Sequence, residues 1–203
     1  CIRDSHRAGS ANEAIDAIEQ ALAEDNSKPE YWIQYANLLN EADESERALE
    51  AVDQCLNLDR QVGDAWALRA ILLSVKQGRE KEALKAATHA VALDCGGAKL
   101  IVLKADLLAE TGDLMAAEAS LEKAIDKFPM DAELRSIVAS RRLSEGRIEV
   151  AQALLDGTPS TIDHPELHIV EGRLHLARAD RQRDGTGKTD QLLLGSAIKS
   201  FEA

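Results

Sequence analysis

The chain reads WIQYANLL at residues 32–39 and WALRAILL at residues 66–73, so the second stretch begins 34 residues after the first. Each stretch has a tryptophan, a small alanine four residues later and a leucine seven residues later. That spacing places the three side chains on one face of an α-helix. Recurrence at a fixed interval is typical of proteins built from repeated helical units. We therefore expect a stack of similar helices.

A second helix in each unit is marked by alanines that recur at intervals of 34, 35, 34 and 34 residues. Four residues after each alanine stands another apolar residue, so the two lie on one helix face. The alanines are Ala14, Ala48, Ala83, Ala117 and Ala151, and the residues that follow them are Ile18, Val52, Ala87, Leu121 and Leu155.

Between the two helices of each unit the sequence predicts a turn that ends the first helix in left-handed backbone. Glycine is the residue best suited to that conformation, and aspartate is one of the few others that tolerate it. Each unit is therefore expected to be a helix, a turn and a helix. The turn residues are Gly9, Asp43, Gly78, Gly112 and Gly146.

A helical hairpin of 34 residues with this pattern resembles the tetratricopeptide repeat. The resemblance covers almost the whole chain, and its most typical segments are residues 32–39, 77–83 and 127–129. It implies an all-α fold, a right-handed superhelical solenoid of antiparallel helix hairpins. It also implies a protein that binds other proteins and does not itself catalyse a reaction.

We expect residues 1–203 to form a single repeat domain that belongs to a larger protein. The sixth unit is degenerate, and its extra length falls in residues 178–190, which are rich in charge and glycine and predict an exposed loop. A short second helix of the fifth unit should end at Gly157. The units are a partial repeat over 1–28, full repeats over 29–62, 63–97, 98–131 and 132–164, and the degenerate repeat over 165–203.

Several charged residues stand where the family has large apolar ones. Long charged side chains can lie along an apolar stripe and keep their charged ends in water, and we expect them to do so here. These residues are Arg69, Lys104, Arg135, Arg142, His168, Glu171 and His175.

Composition excludes some classes of partner. The net charge is −12, with 36 acidic and 24 basic residues, which opposes binding to nucleic acid. No apolar stretch approaches the about 18 residues of a membrane-spanning helix, so no direct membrane insertion is expected. The three cysteines are odd in number and widely spaced, which favours a reducing compartment, although the periplasm stays open. Cys55 stands where other units have alanine and is expected to be a small core residue.

Two motifs suggest chemistry on first inspection. Residues 185–189 read GTGKT, similar to a phosphate-binding loop, but Gln182 stands where such a loop needs glycine and no strand is predicted upstream. His168, Glu171 and His175 suggest a metal, yet the two histidines are two helical turns apart, too far for one ion. We therefore predict no catalytic residue, cofactor or metal, and the chain is not expected to be an enzyme.

The resemblance implies that ligand peptides lie on a concave surface lined by the first helix of each unit. The residues expected there are mildly acidic with scattered apolar side chains, which favours a partner segment with Lys or Arg and aliphatic residues. A basic constellation that some members of the family use to bind a carboxylate is absent except for Asn37. The predicted partner-binding residues are Ile33, Asn37, Asn40, Ala67, Ile71, Val102 and Asp106.

Alternatives to this interpretation remain at the level of sequence. The partner could use the convex face or residues 178–190. The chain could be the regulatory or substrate-positioning part of an enzyme whose catalytic domain lies elsewhere, or a spacer array in a bacterial envelope or secretion protein.

Overall fold

The computed structural model describes residues 2–158, 164–186 and 191–202. The described residues form eleven helices and no strand, which confirms the all-α prediction. The helices are α1 (Ile2–Glu24), α2 (Pro29–Glu41), α3 (Ser45–Leu58), α4 (Gly63–Ser74), α5 (Glu80–Ala92), α6 (Gly97–Glu110), α7 (Leu114–Lys127), α8 (Ala132–Ser144), α9 (Ile148–Asp156), α10 (Pro165–Thr186) and α11 (Gln191–Glu202).

Contacts within the chain define two compact units, unit 1 (Cys1–Ser120) and unit 2 (Leu121–Ala203), each described below by itself. In unit 1, α2 packs on α3 and α4 packs on α5, as expected of helix hairpins. In unit 2, α8 packs on α9 and α10 packs on α11. That the whole chain is a single repeat domain stays a prediction.

The left-handed turns are confirmed at four of the five predicted positions. The φ angles are 61° at Asp43, 81° at Gly78, 92° at Gly112 and 73° at Gly146. At the first turn, the Glu44 backbone N–H donates to the carbonyl of Leu39 at 2.8 Å. A bond of this kind satisfies a carbonyl at the helix end that has no partner within the helix. The turn therefore both ends the first helix and closes its hydrogen bonding.

The turn predicted at Gly9 is wrong, because Gly9 lies inside the continuous helix α1. Glycine inside a helix costs about 1 kcal/mol relative to alanine. That cost is smaller than the loss of the helical hydrogen bonds on both sides of a break. A lone glycine is therefore a weak sign of a turn.

The exposed loop predicted for residues 178–190 is wrong for residues 178–186, which continue α10. Arg and Gln are good helix formers, so the charged composition of this segment is compatible with a helix. Ala179 is buried, and Arg181 forms an ion pair with Glu149 of α9. Residues 187–190 lie outside the described part of the chain.

Small residues line the core of unit 1 where its first helices pack. Ala36, Ala70 and Ala105 have no exposed surface, and Cys55 is equally buried. The Cys55 thiol donates to the carbonyl of Pro29 at 3.3 Å. Burial, assisted by the charges of Asp59 and Glu30, raises the pKa of Cys55 to about 11. The prediction that Cys55 is a small core residue is confirmed.

The core of unit 2 uses the same device at Ala139 and Gly172, which are both buried. A Cβ atom on Gly172 would stand 2.6 Å from the ring of Phe201 in α11. The helix α9 ends at Asp156 and is followed by Gly157, as predicted. The close approach of α10 and α11 therefore depends on the missing side chain of Gly172.

Candidate functional site

The first helices of the hairpins in unit 1 lie beside one another, because α4 contacts both α2 and α6. On α4, Ala70 and Leu73 are fully buried, whereas Ile71 and Val75 are 48% and 75% exposed. Ile71 and Val75 are one helical turn apart, so they form a short apolar ridge on the solvent side of α4. Exposed aliphatic residues that adjoin one another are more informative than single ones.

The residues predicted to bind a partner are all accessible in the structure. Asn37 is exposed like Ile71, and the other five are half-buried. They lie on the three neighbouring helices α2, α4 and α6. We call this surface the first-helix face, defined by Ile33, Asn37, Asn40, Ala67, Ile71, Val102 and Asp106.

The ends of the same helices carry exposed carboxylates. Glu30 and Asp64 are in the first turns of α2 and α4, and Glu41 and Glu110 are the last residues of α2 and α6. The Asp64 carboxylate accepts a hydrogen bond from the Cys95 thiol at 3.1 Å, and this bond raises the pKa of Cys95. These groups add negative charge near the apolar ridge, which can attract cations.

A separate groove of about 430 Å³ lies between α8 and α10 in unit 2. Its lining includes exposed Ile169 and Arg173, which the sequence analysis missed. The signal was present: both follow His168 at the distances at which Ile33 and Asn37 follow Trp32. Ser136 was expected on this surface, but it is buried, and its hydroxyl donates to the Glu133 carbonyl at 2.8 Å.

The expectation that Arg135 keeps its charged end in water is wrong, because the residue is only 6% exposed. Its Nε donates to the carbonyl of Pro129 at 2.9 Å, and its Nη1 donates to the carbonyl of Leu154 at 3.0 Å. Both acceptors belong to backbone near helix ends. The guanidinium is therefore bound to carbonyls inside unit 2.

Trp32 and Trp66 stand at the corresponding place in unit 1 and make the same kind of bond. Each indole N–H donates at 2.9 Å to the carbonyl six residues upstream, that of Asn26 or Arg60. Arg135 also bonds to the carbonyl six residues upstream. The arginine thus reproduces the hydrogen bond of the tryptophan that it replaces.

Other charged substitutions are also paired. Arg142 is buried, against expectation, and its Nη1 lies 3.2 Å from Glu145 Oε2. Arg69 Nε donates to Asp53 Oδ1 at 2.8 Å. Burial removes solvation from a guanidinium, so such a group needs hydrogen-bond acceptors around it.

His168 Nδ1 lies 3.5 Å from Glu171 Oε2. Within the described residues, no group of three or more His, Cys, Asp or Glu side chains could hold a metal ion. The residues that precede the GTGKT stretch are helical, as the sequence predicted, and do not form a strand. In the described part of the chain no helix is both long and apolar enough to cross a membrane.

Comparisons with known proteins agree with this architecture. Models described as tetratricopeptide repeat match residues 6–72 and residues 98–126. Cellulose synthase operon protein C of Pseudomonas fluorescens (strain SBW25) is 31% identical over 167 residues. The match covers 76% of this chain but only 13% of that relative.

Solved structures share the fold at low identity. YrrB, a TPR protein with an unusual peptide-binding site, has 23% identity and a TM-score of 0.67 over 92% of this chain and 93% of its own. PilW, a type IV pilus biogenesis factor, has 15% identity and a TM-score of 0.67 over 97% and 94%. MamA has 17% identity and a TM-score of 0.63 over 77% and 85%.

This fold supports a general role as a scaffold for protein interaction. The repeat interval, the left-handed turns, the helix hairpins and the family matches lead to one conclusion: the chain belongs to the tetratricopeptide repeat family.

Proposed function

We propose that the chain binds a protein or peptide partner through the first-helix face of unit 1. The observation that carries the proposal is the exposure of Ile71 and Val75 on successive turns of α4. The same helix buries Ala70 and Leu73 completely, so the hairpin packing does not use the ridge. A partner that covers it gains free energy that the chain alone does not.

The energy available from the ridge is substantial. Covering an aliphatic side chain fully is worth about 1.5–3 kcal/mol, and Ile71 already has about half of that area removed from water. Ala67 lies one turn before Ile71 and is half-buried, so a ligand can approach the helix closely there. The apolar centre is thus suited to an aliphatic anchor.

Polar groups around the ridge define the rest of the ligand. The amides of Asn37 and Asn40 can donate to and accept from the backbone of an extended peptide. The carboxylates at the helix ends favour Lys or Arg in the ligand. We therefore propose a partner segment that combines basic and aliphatic residues. The description of YrrB as a protein with a peptide-binding site supports this mode of binding.

The experiment compares two aspartate substitutions at equally exposed aliphatic positions. Ile71 is 48% exposed on the first-helix face, and Leu58 is 45% exposed at the end of α3, outside that face. Once a partner is in hand, titration calorimetry should show that Ile71→Asp weakens binding at least about tenfold, equivalent to 1.4 kcal/mol. Leu58→Asp should bind like the parent chain, and both should retain the thermal midpoint of the parent. Equal affinity of Ile71→Asp and the parent would refute the proposed site.

A second candidate function is that of a segment in a longer repeat array that serves a bacterial cellulose-producing system. The observation that favours it is the 31% identity to Cellulose synthase operon protein C, of which the match spans 13%. The test is to delete the gene that encodes the chain and to measure cellulose in the host by dye binding. Loss of cellulose, restored by the parent gene, would support this candidate, and unchanged cellulose would exclude it.

A further inference from the structure

A cleft of about 840 Å³ opens in unit 1 between α3 and α5, with α4 at its base. We call it the Trp66 cleft and define it by Asp53, Arg60, Trp66, Arg69, Lys85 and His89. Trp66 and Arg69 point away from Ile71 and Val75, because the two pairs lie on opposite sides of α4 at 100° per residue. The cleft is therefore distinct from the first-helix face. Its volume is in the range of about 300–1,000 Å³ that binding clefts occupy.

The cleft has an aromatic wall. The rings of Trp66 and His89 are stacked, with centroids 4.6 Å apart and planes 28° from parallel. The indole is held by its bond to the Arg60 carbonyl, and His89 is exposed. A fixed aromatic surface with one accessible member can receive an apolar or aromatic side chain of a ligand.

The charges of the cleft favour an anion. Its two carboxylates already pair with arginines: Asp53 with Arg69 at 2.8 Å, and Glu82 with Arg79 at 2.6 Å. Arg60 and Lys85 are exposed, and in the described part of the chain neither takes part in a salt bridge. Two cations therefore remain for a ligand, on a chain whose net charge is −12.

The preceding hairpin shows that these groups are not needed for the fold. Applying the repeat intervals of 34 and 35 residues, Asn26, Glu50 and Gln54 stand at the positions of Arg60, Lys85 and His89. That hairpin nevertheless keeps the indole bond, from Trp32 to the Asn26 carbonyl. The cations and the imidazole are thus specific to the Trp66 cleft.

We propose that the Trp66 cleft binds an acidic segment of a partner protein, in which Asp or Glu residues flank an aromatic or large aliphatic side chain. Arg60 and Lys85 pair with the carboxylates, and the ligand side chain packs on the Trp66 and His89 rings. Charge-assisted contacts of this kind are stronger than neutral ones and depend on salt. Unit 1 then has two surfaces of opposite preference, since the first-helix face favours basic segments.

The two tryptophans of the chain provide the test, because their indole N–H signals report the two equivalent places. The probes are synthetic peptides of alternating Glu and Phe, of alternating Lys and Phe, and of alternating Glu and Ala. The signals are assigned with Trp32→Phe. We expect the Glu–Phe peptide to shift the Trp66 signal saturably and leave the Trp32 signal unchanged. The Lys–Phe peptide should not shift Trp66, and the Glu–Ala peptide should bind more weakly than the Glu–Phe peptide.

The matched variant carries the residues of the preceding hairpin: Arg60→Asn, Lys85→Glu and His89→Gln. It should retain the helical circular dichroism of the parent and lose at least about tenfold in affinity for the Glu–Phe peptide. Ile71→Asp should bind that peptide like the parent, which separates this proposal from the first-helix face. Absence of a saturable Trp66 shift, equal shifts of both tryptophans, equal binding of the Glu–Ala peptide, or unchanged affinity of the triple variant would overturn the proposal.

Discussion

The hairpins of unit 1 and the hairpin α8–α9 of unit 2 use different side chains for one task. Trp32 and Trp66 stand early in α2 and α4, and Arg135 stands early in α8. All three donate at 2.9 Å to the carbonyl six residues upstream. The comparison shows that this position requires a donor that reaches back to the preceding turn, and that an aromatic ring is not required.

The two solutions differ in what else they bring. Arg135 makes a second bond, to the Leu154 carbonyl in the last turn of α9, where the helix dipole is negative. It thereby ties α8 to the end of its partner helix. Trp66 makes a single bond and leaves its ring to stack with His89. Unit 2 gains an internal link, whereas unit 1 gains an aromatic surface.

The largest effect is expected at Arg135. Arg135→Ala removes two bonds and buried packing, and it leaves two carbonyls short of donors, so we expect a loss of about 3–5 kcal/mol in the free energy of unfolding. Urea denaturation followed by circular dichroism measures it. Arg135→Trp restores one donor and should cost less than Arg135→Ala. If the two variants were equally unstable, the shared role of Trp and Arg would be wrong.

A smaller effect is expected at Trp66. Trp66→Phe removes the indole donor, but the Arg60 carbonyl lies at an exposed turn where water can replace it. The expected loss in the free energy of unfolding is therefore about 1 kcal/mol. The same urea experiment applies, with Tyr31→Phe as a control outside this bond. A loss as large as that of Arg135→Ala would show that the indole does more than donate one hydrogen bond.

The smallest effect is a gain at the left-handed turn. Asp43 in unit 1 has a φ of 61°, whereas the corresponding turn in unit 2 has Gly146 at 73°. Asp43→Gly removes the cost of left-handed backbone at a residue with a Cβ and should stabilise the chain by about 0.5–1 kcal/mol. Thermal unfolding should show a raised midpoint. A lowered midpoint would show that the Asp43 side chain contributes more than its backbone costs.

Periodicity predicted most of the fold because each hairpin repeats the same local pattern. The turn at Asp43 was found without a glycine, since the interval placed it there. The turn at Gly9 and the loop at residues 178–186 were wrong, because glycine content and charge are compatible with a helix when its hydrogen bonds continue. Local sequence does not show whether a helix continues through such a residue.

The candidate sites were only partly predictable for a related reason. The offsets from Trp32 predicted the exposure of Ile71, but the burial of Arg135 depends on the Leu154 carbonyl of another helix. The Trp66 cleft likewise joins residues of α3, α4 and α5 that are distant in sequence. Residue type suggested solvated charges, and only the packing shows which of them are bound inside the chain.

The first-helix face is tested most directly by photo-crosslinking in cells with p-benzoylphenylalanine in place of Ile71, and separately in place of Leu58 as the matched control. Mass spectrometry of the crosslinked product identifies the partner segment. We expect a product from position 71 that maps to one segment with Lys or Arg beside aliphatic residues, and no such product from position 58. A specific product from position 58 alone, or an acidic segment crosslinked at position 71, would contradict the proposed function.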